Sequence, residues 1–265
     1  MRFPDKTAGA HRAFSLSKSF RDLGYRVVLI GLDDKQQKND GVLSTNRLYQ
    51  GFDCYTIPTP KTVFEWSHHM HSISEFIKVI EHYGIHRVKA VVAMEYEAIA
   101  LWKLTRFCNK NGIDLIADAE EWYEQSNLPF PHNVAKDFDT NLRMYFVYPK
   151  RIKKMIAISR FLADYYKDKV ETVVYVPVTI DKSELKWILL PSYKANDVFT
   201  IGYAGFPGHK MEKERIDWLV RAVCDLNEDG KPCRLLIAGC DRKIVEDFDP
   251  TIVGKVFLWK SSYMS

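Results

Sequence analysis

The stretch from Val198 to Gly239 constrains the fold more than any other part of the chain. It opens with an apolar run, Phe199–Ala204, that has the length and composition of a buried strand. A turn rich in glycine and proline follows, and then apolar residues recur at helical spacing from Ile216 to Leu226. A second apolar run, Leu235–Ala238, completes the unit. This order predicts two parallel strands joined by a right-handed crossover helix.

The glycine turn after the first of these runs is a candidate ligand site. In α/β proteins, ligands bind at the carboxyl end of such a strand, on the loop and the amino end of the following helix. Gly205 and Gly208 stand in that loop. The same pattern is also typical of any strand–helix–strand unit without a ligand. The pattern alone favours neither interpretation.

Composition limits the class of protein and its partners. A length of 265 residues is enough for two domains or one large domain, and a net charge of +4 is too small to predict a nucleic-acid partner. The five cysteines form no CxxC pair, which favours a reduced cytoplasmic compartment. No apolar run reaches membrane-spanning length and no signal peptide opens the chain. Any membrane contact is therefore expected to be peripheral, at the inner face of the membrane.

The amino-terminal part has an unusual order of elements. Apolar spacing predicts a helix from Ala8 to Leu23 that Gly24 ends, followed by a buried parallel strand over Val27–Leu32. A doubly wound domain normally opens with a strand, and that strand is central in the sheet. The order therefore predicts a sheet without its central strand, through a chain that begins late. Val27–Leu32 and Val88–Met94 would then have unpaired edges, which invite aggregation.

An acidic and aromatic stretch, Asp118–Tyr123, follows a predicted strand over Asp114–Ala117. Chemistry in an open α/β sheet sits just past the strand ends. Closely spaced acids beside tryptophan can differ in proton affinity, as a general acid or base requires. The alternative is the first turn of a helix, where acids interact favourably with the helix dipole. Taken alone, the residues favour that alternative.

A basic and apolar stretch precedes the next predicted strand. Lys150, Arg151, Lys153 and Lys154 follow the apolar run 144–147 at the end of a helix predicted over 134–154, with a break near Pro149. Such a combination could contact an anionic membrane surface. Cations at the carboxyl end of a helix are the alternative, and the one the residues favour.

Two segments resemble the family 4 glycosyltransferases, which have the two-domain GT-B fold. The first carries the phrases IGYAG and LLIAG around the glycine turn, and the second is Met155–Asp181. The resemblance implies an α/β protein with two Rossmann-like domains. Residues 1–180 would form the acceptor-side domain without its opening strand, 181–197 the linker, and 198–265 an incomplete donor domain.

The resemblance also implies roles for particular residues. Glu120 stands at the strand end where the family often has histidine, and Lys210 follows the glycine turn, where Phe206 replaces a frequent arginine. No metal and no cofactor are implied. The implied sets are Glu120 and Lys210 as catalytic residues, Ala8, Gly9, Gly205 and Gly208 for the nucleotide-sugar, and Asp118 and Glu121 on the acceptor side.

The implied activity is the transfer of a sugar, with retention, from a nucleotide diphosphate sugar to a hydroxyl of a glycan, lipid or small molecule. The chain itself is expected to be a fragment of such an enzyme. The altered histidine and arginine positions and the short ends favour an alternative, a catalytically inactive scaffold or sugar-binding remnant. A sugar-nucleotide epimerase of the same architecture is a third hypothesis. Met155–Asp181 favours the transferases over it.

Overall fold

A computed structural model describes residues 7–36, 41–122, 130, 132–182, 198–205, 215–238 and 257–260. The chain divides into two compact units, Met1–Glu184 and Leu185–Ser265. The predicted linker over 181–197 lies almost entirely outside the described residues.

The first unit alternates strands and helices. Its helices are α1 Ala8–Asp22, α2 Val63–His69, α3 Ser74–Tyr83, α4 Ala98–Lys110, α5 His132–Leu142, α6 Tyr148–Arg151 and α7 Arg160–Tyr166. Its strands are β1 Val28–Asp33, β2 Arg47–Tyr49, β3 Phe52–Pro58, β4 Ala90–Met94, β5 Asp114–Ala119, β6 Lys154–Ala157 and β7 Thr172–Tyr175. The second unit has β8 Phe199–Ala204, α8 Ile216–Glu228, β9 Cys233–Ala238 and β10 Phe257–Lys260.

The strands form three sheets with mainly parallel pairing. The first unit has one sheet of order β1-β3-β2, with β2 antiparallel, and one all-parallel sheet of order β4-β5-β6-β7. The second unit has a parallel sheet of order β10-β9-β8. The chain is thus an α/β protein with mixed helices and parallel sheets, compatible with a Rossmann-like fold. The two-domain GT-B arrangement stays a prediction.

Helices cover both faces of β1. Leu29 packs with Phe14 of α1, whereas its neighbours Val28 and Ile30 pack against Val79 of α3. Adjacent side chains of a strand point to opposite faces, so α1 and α3 lie on opposite sides of the sheet. Leu23, the last residue of the predicted helix, is 72% exposed because α1 ends at Asp22.

The larger sheet carries the main core of the first unit. Its buried positions in β5 and β6 pack against α4, whose apolar side chains Leu101, Leu104 and Cys108 recur at helical spacing. Among the described residues, β1 and β4 belong to different sheets. The predicted gap at the central strand position stays a prediction, since residues 1–6 lie outside the described part of the chain.

The sequence from Val63 to Tyr83 predicts one helix, but the chain forms α2 and α3 with a break between them, so that prediction is wrong. The backbone carbonyl of Met70 accepts a hydrogen bond from the Ala100 N–H at 3.2 Å, and that of His71 accepts one from Lys103 Nζ at 2.8 Å. Both donors belong to α4. Hydrogen bonds from α4 therefore engage two carbonyls at the break between α2 and α3, although the residues on both sides of the break have a helical pattern.

The second unit confirms the predicted strand–helix–strand unit. β8 and β9 are parallel and α8 connects them, with Val220 and Val223 buried against Leu235. The prediction that the first strand is buried is wrong, since Phe199 is exposed and the other residues of β8 are exposed or half-buried. Among the described strands, β8 lies at the edge of its sheet, where fewer neighbouring residues cover its side chains.

Replacing Ser159 by alanine is expected to lower the free energy of unfolding by about 1 kcal/mol, because it removes a helix cap. The Ser159 side chain accepts a hydrogen bond from the Leu162 N–H at 3.2 Å at the start of α7, where the sequence predicts a cap. Urea unfolding monitored by circular dichroism measures the change. Ser19→Ala in exposed mid-helix α1 is the matched control, and an equal effect of both substitutions would contradict the capping role.

Candidate functional site

Three carboxylates meet where β4 and β5 end. Glu95 directly follows β4, Asp118 is near the end of β5, and Glu120 directly follows β5. The two strands are hydrogen-bonded and parallel, so their carboxyl ends lie at the same edge of the sheet. Glu95 and Glu120 lie beside the first turn of α1 as well. This group of three acids is called the carboxylate cluster below.

Arg12 of α1 holds one member of the cluster. Its Nε donates to Asp118 Oδ2 and its Nη2 to Oδ1, both at 2.8 Å, and the two residues are only 5% and 1% exposed. The guanidinium also donates to the carbonyls of Val176 and Pro177 at 3.1 Å. Asp118 therefore joins α1 to β5 and to the chain after β7, and both its oxygens are engaged by Arg12. It was predicted on the acceptor side.

Glu120 differs from Asp118 in its surroundings. It is half-buried, and its Oε1 is a buried atom with no hydrogen-bond partner among the described residues. Burial first, then the charges of Asp118 and Glu95, raise the pKa of Glu120 to about 8, although Arg12 opposes the rise. At neutral pH this side chain is therefore mostly protonated and can donate a hydrogen bond.

Ala8 and Gly9, which were predicted to bind the nucleotide-sugar, form the first turn of α1. Thr7 caps the helix by accepting from the Ala10 N–H at 3.3 Å. A Cβ on Gly9 would lie 3.4 Å from Glu120 Oε2 and 3.6 Å from Glu95 Oε2. The structure thus brings Gly9, Glu95 and Glu120 together at the positive end of the helix.

The cluster surrounds only a small cavity of about 10 Å³, which is room for about one water molecule. Glu121, the other predicted acceptor-side residue, is exposed and lines it. The buried residues Tyr148 and Arg143 line it as well, and burial raises the pKa of Tyr148 to about 12. A larger ligand would therefore contact this edge of the sheet from outside rather than enter a closed pocket.

Sequence reasoning missed two residues of this site. Glu95 follows a predicted strand, so the rule that placed Glu120 at a strand end could also have found it. It has a φ of 45°, a left-handed conformation that is uncommon for residues other than glycine and recurs at functional sites. Arg12 carried no signal, since its partner is 106 residues away in the chain.

The alternative interpretation of the acidic stretch as a first helical turn is wrong for its described part. Asp118 and Ala119 belong to β5, and 120–122 are not helical. Trp122 instead packs edge-on against Tyr145, Phe161 and Tyr165, with ring centroids 4.8–6.0 Å apart. Tyr123 lies outside the described residues.

Gly205 directly follows β8 in the second unit. Its N–H donates to the Ala238 carbonyl at 2.9 Å, so that donor is engaged in the sheet rather than directed at a ligand. A Cβ there would lie 3.1 Å from the Tyr203 hydroxyl. If a ligand binds here, the contribution of Gly205 is the space left by its missing side chain and not its N–H group. Gly208 and Lys210 lie outside the described residues.

The basic and apolar stretch at 144–154 is divided between core and surface. Met144 and Val147 are buried, whereas Tyr145 and Phe146 are exposed, in and around a π-helical turn over Arg143–Val147 that interrupts the predicted helix. Arg151 lies over the rings of Trp102 and Phe146, and Lys154 pairs with Asp114 at 2.8 Å. The predicted membrane contact stays a prediction. In the described part of the chain, no helix combines the length and the apolar character that crossing a membrane requires.

The comparison with protein-family models found no matching family, and the search of curated proteins found no similar sequence.

Proposed function

We propose that this chain is of the glycosyltransferase type and transfers a sugar, with retention, from a nucleotide diphosphate sugar to a hydroxyl of a glycan, lipid or small molecule. The observation that carries the proposal is Glu120, a half-buried carboxyl with a raised pKa at the carboxyl end of a parallel strand. This is where ligands bind in open α/β sheets. The resemblance of Met155–Asp181 and of the IGYAG and LLIAG phrases supports the choice of reaction.

In this reaction the bond from the sugar C1 to the diphosphate oxygen breaks, and a bond from C1 to the acceptor oxygen forms. The proton of the acceptor hydroxyl passes to the leaving diphosphate. Positive charge develops on the sugar ring in the transition state. Glu120 contributes in one of two forms: protonated, it donates a hydrogen bond that orients a sugar, and ionised, it stabilises the developing charge. A pKa near the working pH makes both forms accessible.

The first turn of α1 is the proposed contact for the diphosphate from the first unit. Ala8 and Gly9 lie in the first turn of α1, where backbone N–H groups have no acceptor within the helix. The helix dipole also favours an anion at this end. Glu120 lies next to this turn, and in its protonated form it does not repel an anion. The proposed reaction requires no metal. The predicted role of Lys210 stays a prediction, since this residue lies outside the described part of the chain.

The second candidate is a catalytically inactive protein that binds a nucleotide-sugar or a partner. Two observations favour it over a full active site. The cavity at the carboxylate cluster has room for about one water molecule, and Asp118 is engaged by Arg12. This candidate predicts nucleotide binding without transfer.

We expect nucleoside diphosphate binding to depend on Gly205. Calorimetric titration with UDP, GDP and ADP measures the affinity. Gly205→Ala is expected to weaken it about tenfold, because a Cβ would crowd the loop after β8, where it would lie 3.1 Å from the Tyr203 hydroxyl, and would keep a ligand from the backbone. Gly202→Ala is the matched control, since a Cβ at Gly202 meets no atom within 4 Å. Binding of none of the three nucleotides, to this chain or to one extended at both ends, would contradict both candidates.

Product analysis with nucleotide-sugar donors then separates the candidates. A lower rate of sugar transfer in Glu120→Gln, with the nucleotide affinity unchanged, would support the enzyme. Binding without transfer by a chain extended at both ends supports the inactive binder. Conversion of the donor sugar without any acceptor would support the epimerase instead.

A further inference from the structure

The connection between β4 and α4, residues 95–97, supplies one member of the carboxylate cluster. Glu95 has a φ of 45°, a conformation that costs free energy for a residue with a side chain and persists only where the surroundings impose it. Glu97, the N-cap residue of α4, makes no capping hydrogen bond with its side chain, which lies 3.5 Å from His69 Nε2 of α2 instead. Residues from elsewhere in the fold must therefore hold the backbone of this connection.

Asp139 of α5 and Arg143 of the π-helical turn bind the connection at two backbone groups. Asp139 Oδ1 accepts a hydrogen bond from the Ala98 N–H at 2.9 Å, and so caps α4 in place of its own N-cap residue. Arg143 Nη1 donates to the Tyr96 carbonyl at 3.0 Å. Both side chains are buried, with 7% and 6% of the residue exposed. We call this pair the Asp139–Arg143 bracket.

The bracket also borders the candidate site. Arg143 lines the small cavity at the carboxylate cluster, together with Glu95, Glu120 and Tyr148. It belongs to a π-helical turn, Arg143–Val147, and this rare geometry is frequent at functional sites. One guanidinium thus binds the backbone that follows Glu95 and borders the cavity that Glu95 and Glu120 line.

The position of Glu95 affects the proton affinity of Glu120. The nearest oxygens of these two carboxylates both lie within 3.6 Å of the point that a Cβ on Gly9 would occupy. Burial and the charge of Asp118 raise the pKa of Glu120, the charge of Glu95 raises it further, and Arg12 opposes the rise. A Glu95 side chain displaced from the cluster would therefore leave Glu120 more readily ionised.

We propose that Asp139 and Arg143 are positioning residues of the candidate site, which hold the connection 95–97 so that the Glu95 carboxylate stays beside Glu120 at the first turn of α1. The bracket thereby determines which form of Glu120, protonated or ionised, meets a ligand near neutral pH. The consequence for catalysis rests on the proposed function. The positioning itself does not, because it acts in the chain without any ligand.

The matched pair Asp139→Asn and Asp139→Leu tests the proposal. Both substitutions remove the charge, but asparagine keeps an oxygen that can accept from the Ala98 N–H, whereas leucine has none. Carbon-13 NMR of the side-chain carboxyl groups between pH 5 and pH 9 follows the titration of Glu120, and Glu120→Gln identifies its signal. The midpoint is expected to stay near the wild-type value of about 8 in Asp139→Asn, and to fall to about 7 or below in Asp139→Leu.

Arg143→Met separates positioning from a direct effect of charge. Loss of a nearby positive charge alone would raise the pKa of Glu120, whereas displacement of Glu95 lowers it, so the two explanations predict opposite shifts. The midpoint is expected to fall. The substitutions at Arg143 and Asp139 are independent, so the proposal remains testable when one of the two proteins does not fold.

Glu95→Gln tests whether the bracket acts through Glu95. It removes the charge that the bracket positions, so the midpoint of Glu120 is expected to fall to about 7, and adding Asp139→Leu is expected to cause no further change. A further fall in the double variant, an unchanged midpoint in Asp139→Leu or a rise in Arg143→Met would each overturn the proposal. Absence of nucleotide binding or sugar transfer while these shifts are observed would contradict the proposed function alone.

Discussion

Replacing Arg12 by methionine is expected to lower the free energy of unfolding by about 3–5 kcal/mol, because the substitution leaves Asp118 as a buried charge without its partner. The pair is almost fully buried, with two hydrogen bonds of 2.8 Å, and the guanidinium also satisfies the carbonyls after β7. Against a typical net stability of roughly 5–15 kcal/mol this loss is severe. Chemical denaturation of both proteins measures it.

Arg26→Met is the matched control for this prediction. Arg26 pairs with Asp53 at 2.7 Å, but its side chain is 68% exposed, so the same substitution is expected to change stability by about 1 kcal/mol or less. The double variant Arg12→Met with Asp118→Leu removes both charges and is expected to recover much of the loss. Equal effects at Arg12 and Arg26 would show that the buried pair does not hold α1 to the sheet.

Stability is expected to fall as the pH rises from about 5 to about 8, and Glu120→Gln is expected to remove most of that fall. The ordinary pKa of a glutamate is 4.5, and burial together with Asp118 and Glu95 raises that of Glu120 to about 8. Between these values the folded chain keeps a proton that the unfolded chain releases. Folding is therefore favoured at the acid end of the window, and the advantage is lost as the pH passes the folded pKa.

The expected size of this effect is about 1–3 kcal/mol, less than the full shift implies because solvent partly screens the side chain. Glutamine mimics the protonated form, so wild type and variant are expected to be alike near pH 5 and the variant more stable near pH 8. Urea unfolding at four pH values measures the difference. Glu121→Gln, in the exposed neighbour, is the control, and the same pH dependence in wild type and Glu120→Gln would contradict a protonated Glu120.

The same titration is relevant to the proposed function. An anion at the first turn of α1 lies near Glu95 and Glu120, so ionisation of Glu120 weakens its binding. A nucleotide affinity that decreases between pH 7 and pH 9 in wild type, and less so in Glu120→Gln, would connect the carboxylate cluster to the ligand.

Local patterns in the sequence were sufficient to predict most of the elements. The helix that begins at Ala8 follows from apolar spacing and ends before Gly24, which has a φ of 90°. Ser159 was correctly predicted as a cap. The strand–helix–strand unit from Phe199 to Ala238 is present with its predicted order and parallel pairing. These features depend on residues within a few positions of each other, which is the range over which periodicity and capping act.

The break at Met70 was not predictable from the local pattern. The carbonyl that interrupts the helix is bonded by Ala100, from a helix whose position the local pattern does not specify.

The sequence by itself determined the α/β class, most of the element boundaries and the placement of Glu120 at a strand end. Only the tertiary structure decided that Arg12 binds Asp118, that Glu95 joins Glu120 beside Gly9, and that Glu120 is mostly protonated at neutral pH. Helices and strands are set by neighbours in the chain. An ion pair or a shifted pKa depends on charge, burial and distance between groups that only folding brings together.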